Sequence, residues 1–167
     1  MSKFLSNGSQ APPFSLTAVA SQRQINLNTA TGYLLLIFHG YRTVDEVGAI
    51  IRSVRESCPN PDQLLIASVA DMRIVPRLLR GMANQIMQNA YEDACKQIPE
   101  GQEPSDHIII LPDWSGKVFK AYKVPNTSRH PALALINEQQ IIQGTYTGDQ
   151  PIKAALKLIA DFPPCSL

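Results

Sequence analysis

Residues Tyr33-Leu34-Leu35-Leu36-Ile37-Phe38 form an unbroken apolar run, and no other feature constrains the fold as much. A half-exposed strand alternates apolar and polar side chains, whereas a strand without alternation must be covered on both faces. Coverage of that kind calls for a sheet with helices on both sides. The next segments of the chain fit this demand. After His39-Gly40-Tyr41-Arg42, the residues Val44, Val47, Ile50, Ile51 and Val54 recur at three- and four-residue spacing, the stripe of an amphipathic helix, which Pro59 and Pro61 stop. Leu64 to Val69 is a second buried strand, so the centre of the chain reads as a parallel β-α-β unit.

The flanking segments complete the order. Phe14 to Val19 and Gln24 to Leu27 alternate and suggest an N-terminal β-hairpin behind a loose arm, residues 1–10. Pro76 suits the first position of a helix whose pattern runs to Ile98, the longest in the chain. Leu78, Leu79, Met82, Ile86 and Met87 give it an apolar band expected to face the core, with a dimer or partner surface as the other reading. A loop from Pro99 to Asp106 leads to a strand, His107 to Leu111, and a short helix, Lys117 to Tyr122. Ala132 to Ile136 and Gln140 to Tyr146 read as an antiparallel pair, and Ile152, Ala155, Leu156 and Ile159 line a final helix. There are no internal repeats. The 167 residues suit one domain, 11–167, behind the arm.

Composition excludes several classes of function. A 44% hydrophobic and 17% charged chain is an ordinary globular one, and a formal net charge of +1 draws it to neither nucleic acid nor anionic lipid. The apolar run is far below the ~20 residues that cross a bilayer. Met1 to Pro13 is polar and lacks the apolar stretch of a signal peptide. Cys58, Cys95 and Cys165 form no CxxC or metal-ligand cluster, and an odd count is read as reduced thiols in a reducing compartment. A soluble, cytoplasmic protein without metal or cofactor is expected, with no nucleic acid or membrane among its partners.

Three segments sharpen the fold. Ala11-Pro12-Pro13-Phe14-Ser15-Leu16 resembles the AP-x-F-x-L opening strand of the peroxiredoxin-like branch (alkyl hydroperoxide reductase/thiol-specific antioxidant and redoxin proteins) of the thioredoxin-like superfamily. Leu34 to Phe38 with its loop and helix looks like that family's strand leading into the redox motif. His130-Pro131-Ala132-Leu133-Ala134-Leu135-Ile136-Asn137 resembles the segment holding the family's cis-proline. The resemblance leaves Met72 to Glu103 poorly matched. It implies an α/β, thioredoxin-like fold: a central mixed sheet flanked by helices, with an N-terminal β-hairpin extension and a long inserted helix.

At the centre the chain departs from the family. Aligning Phe38 with the family's strand end puts the CxxC window at Thr43-Val44-Asp45-Glu46, and the alternative register near Val47 also lacks cysteine. A threonine hydroxyl is far too weak an acid to replace a helix-stabilised thiolate. Thr43 and Glu46 instead read as a capping box, with Asp45 and Glu46 favourably set at the positive end of the helix dipole. Glu46 or Asp45 as a catalytic base is the other reading. By the resemblance, the loops at His39, Tyr41 and Arg42 and at His130 and Pro131 face one another across a groove fit for a peptide or a polar ligand.

Trp114 sits on a turn where it either caps the core or meets a partner. Arg73, Arg77 and Arg80 share one face near the start of the long helix, an anion site or a solvated basic face, with Asp71 as a local counter-charge. Three functions are compatible with these features: a redox-inactive module that binds a protein, peptide or ligand, a divergent thiol oxidoreductase with Cys58 or Cys95 as a relocated nucleophile, and a phosphate or anion binder.

Overall fold

In the computed structural model, residues 3–165 are described. Strand β3 (Tyr33–His39) lies at the middle of a five-stranded mixed sheet of order β5-β4-β3-β6-β7. It pairs in parallel with β4 (Leu64–Asp71) and antiparallel with β6 (Ala132–Ile136). β5 (Ile110–Asp113) runs parallel beside β4, and β7 (Ile142–Thr147) antiparallel beside β6. The expected hairpin forms a separate pair, β1 (Ser15–Thr17) with β2 (Gln24–Asn26).

The missing alternation in β3 has the cause its sequence implied. Leu34, Leu36 and Phe38 enter one core with Val69, Leu111 and Tyr122. Leu35 and Ile37 enter the other, beneath Val47, Ile50 and Val54 of α1 (Val44–Ser57) and Ala155 and Ile159 of α5 (Pro151–Asp161). Both layers are fully covered along β3. This is the α/β, thioredoxin-like architecture, with sheet and helices in the expected order.

Two buried polar groups hold the first core. The Tyr122 hydroxyl donates to the Pro12 carbonyl at 2.9 Å, pinning the Ala11-Pro12-Pro13 segment to this core, and burial pushes the phenol well above its ordinary range. Asp113, 1% exposed, accepts from the Val118 and Phe119 amides at 3.0 Å each and so caps the short α4 (Lys117–Ala121).

Several expectations are corrected. The arm is packed from Phe4 onward: the Gly8 amide donates to the Ile142 carbonyl at 2.8 Å, and the Phe4 ring meets Phe38 edge-on; Met1 and Ser2 lie outside the described residues. Pro104 starts a one-turn helix, α3 (Pro104–His107), which delays the next strand to Ile110. The long helix, α2 (Arg80–Cys95) with a 3₁₀ turn at Arg77–Leu79, has no buried residue, so its apolar band is not core.

Cys58 and Cys165 are joined as a disulfide, with Cα atoms 5.7 Å apart, and Cys95 is the free thiol. The pairing arises because α5 packs along α1 and carries the chain end to the foot of that helix. It removes the odd-thiol argument for a reducing compartment. Among the described residues no helix is long and apolar enough to cross a membrane.

Replacing Asp113 by Ala leaves two amides without their carboxylate acceptor. A loss of about 2–3 kcal/mol is expected, read as a lower urea midpoint at unchanged slope.

Candidate functional site

The junction between β3 and α1 is built by one side chain. After His39, Gly40 leads into a 3₁₀ turn, Tyr41–Thr43, and α1 begins at Val44. This tight turn swings Thr43 inward to 1% exposure. Its hydroxyl accepts from the Gly40 amide at 3.2 Å and donates its single proton to the Thr127 carbonyl at 3.2 Å or the Gly40 carbonyl at 3.3 Å. Thr43 therefore makes no side-chain bond to the amides of α1, and the expected capping box with Glu46 does not form. Asp45 and Glu46 do sit in the first turn, where negative charge suits the helix dipole. The hydroxyl instead sutures the junction to Thr127 in the loop ahead of β6.

Above this suture lies a cleft of about 520 Å³. Gly40, Tyr41 and Arg42 form one wall and Val124 to Ser128 the other, with Asp71, Arg73 and Ile74 between them. It opens at the carboxyl ends of β3 and β4, the edge of a parallel sheet where ligands commonly bind. Arg73 reaches both oxygens of Asp71, at 2.9 and 2.7 Å, and lies over the Phe119 ring, 5.3 Å from its centroid. The hydrogen bond from Arg73 holds the Asp71 carboxyl below its ordinary range, and the same bond raises the guanidinium. Gly116, at φ +72°, lets Arg73 pass, because a Cβ there would overlap the Arg73 side chain. Arg42 also lines the cleft and is exposed, its Nε donating to the Tyr41 hydroxyl at 2.9 Å.

The other expected site residues lie elsewhere. His39 is buried on the α1 side of β3, and its Nδ1–H donates to the Gly40 carbonyl at 3.0 Å. Burial lowers its pKa, with the carbonyl opposing in part. His130 and Pro131 do not line the cleft, and no cis peptide bond occurs among the described residues, so His130–Pro131 is trans. Upstream, the Asn126 side chain accepts from the Ser128 amide at 2.8 Å, a local turn, and β6 begins directly after Pro131.

Trp114 lies under the Arg80 guanidinium, 5.1 Å from its ring centroid, and is not part of the cleft. Arg73, Arg77 and Arg80 do not converge: Arg73 is bound to Asp71, Arg80 to Trp114, and Arg77 is exposed. Cys58, one of the two expected candidates for a relocated thiol, is buried in the disulfide at the far end of α1, about 20 Å away by helical rise. No group of three metal-ligating side chains occurs among the described residues. The sequence reading missed Ile74, Asn126, Thr127 and Ser128. The only available signal was the turn-forming run Pro125-Asn126-Thr127-Ser128.

No family model matches the sequence, and no curated protein does. Solved structures do match. The pneumococcal exposed lipoprotein thioredoxin Etrx1 of Streptococcus pneumoniae superposes with a TM-score of 0.61 at 16% identity, over 90% of this chain and 99% of that one. A DsbF homologue of Corynebacterium diphtheriae gives 0.62 at 14% identity, covering 95% and 91%. A thiol-disulfide oxidoreductase of Bacteroides fragilis gives 0.56 at 16% identity, covering 89% and 98%. At these identities the likeness establishes the thioredoxin-like fold.

Two measurements check the junction. Thr43→Val removes the suture and should cost about 1–2 kcal/mol in urea unfolding. His39 is neutral when buried, whereas the unfolded histidine takes up a proton below its ordinary value of 6.5. Its contribution to stability is therefore present above that pH and lost as pH falls below it. The melting temperature should drop more between about pH 7.5 and 5.5 in the parent than in His39→Gln.

Proposed function

We infer that this is a redox-inactive thioredoxin-like domain whose cleft at the β3–α1 junction binds an extended peptide or a small polar ligand. One observation carries the reading. The cleft stands where the resemblance expects the redox motif, and its walls contain no cysteine. The Thr43 hydroxyl holds those walls together, so the cleft persists without sulfur chemistry. Peptide docking draws on backbone groups and one or two anchoring side chains, which Tyr41, Arg42 and Ser128 can supply. Arg42 favours a ligand that carries negative charge, because Arg73 is already neutralised by Asp71.

The rival readings have less behind them. A relocated thiol would have to be Cys95, which lies on α2 and not in the cleft. A phosphate site on Arg73, Arg77 and Arg80 lacks convergence. The peroxiredoxin-like branch rests on the Ala11 to Leu16 motif, while the matching solved structures carry thioredoxin and thiol-disulfide names.

The test pairs catalysis with binding. Insulin reduction with dithiothreitol should proceed at the uncatalysed rate. Peptides selected from a displayed library on the parent protein should bind Arg42→Ala and Ser128→Trp at least about 10-fold more weakly, a change of about 1.4 kcal/mol. Equal binding to Ser128→Trp would remove the cleft from the mechanism. Turnover abolished by Cys95→Ser would establish the oxidoreductase alternative.

A further inference from the structure

The cleft does not account for α2. One side of it, Arg80, Ala83, Met87, Tyr91 and Ala94, is half-buried, with Arg80 over the Trp114 ring, and none of its residues is buried. On the adjoining flank Leu78 is 97% exposed, Leu79 46%, Met82 64% and Ile86 63%. Ile74, 69% exposed, extends the patch just ahead of the helix. Scattered apolar residues on a surface are ordinary, but a contiguous line of large aliphatic side chains marks a surface that is covered in use.

We propose that a second copy of this chain covers it, through antiparallel pairing of α2 with α2′ about a two-fold axis at Ile86. The stripe is unequal from end to end. Leu79, Met82 and Ile86 are large, while the positions that continue the line, Ala90 and Asp93, are small or polar. Antiparallel overlap centred on Ile86 sets Met82 against Ala90′ and Leu79 against the stem of Asp93′. Large then meets small on both sides of the axis, as close packing of two helices requires. A parallel pair would crowd the large ends and leave the small ends apart.

Charge points the same way. Exposed Arg77 stands at the start of the helical segment and exposed Glu92 near its end, while Arg80 is held over Trp114 and Asp93 pairs with Lys96 at 3.3 Å. Antiparallel overlap brings the basic end of each copy over the acidic end of the other and opposes the two helix dipoles, and parallel overlap does the reverse. One helix carries both halves of this complementarity, which is what an isologous two-fold interface needs. The pairing is independent of what the cleft binds.

Sedimentation velocity on the full chain between about 1 and 100 μM should show the mass rise from one copy to two. Ile86→Glu should stay monomeric, its dissociation constant raised at least about 30-fold, with an unchanged circular dichroism spectrum because the side chain is exposed. In a Cys95→Ser background, Ile86→Cys should cross-link to itself under mild oxidation. Leu79→Cys and Asp93→Cys should cross-link only when mixed. A parent chain monomeric throughout, a dimer that survives Ile86→Glu, or Leu79→Cys linking to itself as readily as Ile86→Cys would each overturn the proposal.

Discussion

Strand β3 is the constraint on which the rest of the molecule depends. It supplies the hydrogen bonds that join the parallel half of the sheet to the antiparallel half, and it feeds both cores with alternate side chains. Every layer is therefore referred to one element, and the end of that element fixes where the junction loop emerges. Burying Leu34 to Phe38 contributes roughly 1.5–3 kcal/mol for each side chain, large against the net stability of a domain this size. The cleft inherits its place from that burial: Gly40 to Arg42 cannot move without dragging a strand locked on both edges.

The site itself is held by a few polar contacts. The Thr43 hydroxyl and the Arg73–Asp71 pair act at different depths, one in the buried suture and one in the partly exposed wall. The Thr43 bond is shielded from water and counts for more than its length suggests. The ion pair is half in solvent, so it matters for shape more than for stability. Arg73 occupies the space that Gly116 leaves free and forms part of the cleft wall, while Arg42 remains available to a ligand.

How much of this was legible in the sequence depends on what each signal encodes. Unbroken and alternating hydrophobicity records burial directly, so β3, α1, β4, β6 and α5 could be read from Leu34, Ile50, Leu64, Leu133 and Ala155. The apolar band of α2 has the same periodicity as a core helix, because periodicity reports that a face is apolar and not what covers it. The Thr43 capping box failed for a related reason. Spacing identified two compatible side chains, but an inserted 3₁₀ turn redirected the hydroxyl toward Thr127, 84 residues away. Contacts of that range, like Tyr122 to Pro12, leave no local pattern.

The Cys58–Cys165 bridge spans a sequence separation of 107 and converts most of the fold into a covalent ring. Tension applied between the two ends of the chain would pass along the N-terminal segment to Cys58, cross the bridge, and leave by the last residues. The second strand of the parallel core, the antiparallel pair and α5 could not be extended, although β3 would still pull on β4 and β6 through its hydrogen bonds. Only the first 58 residues could then be drawn out, about 200 Å of contour, against about 570 Å for the opened chain. The bridge thus divides the molecule mechanically between β3 with α1, which can be drawn out, and the segment closed by the ring, which cannot.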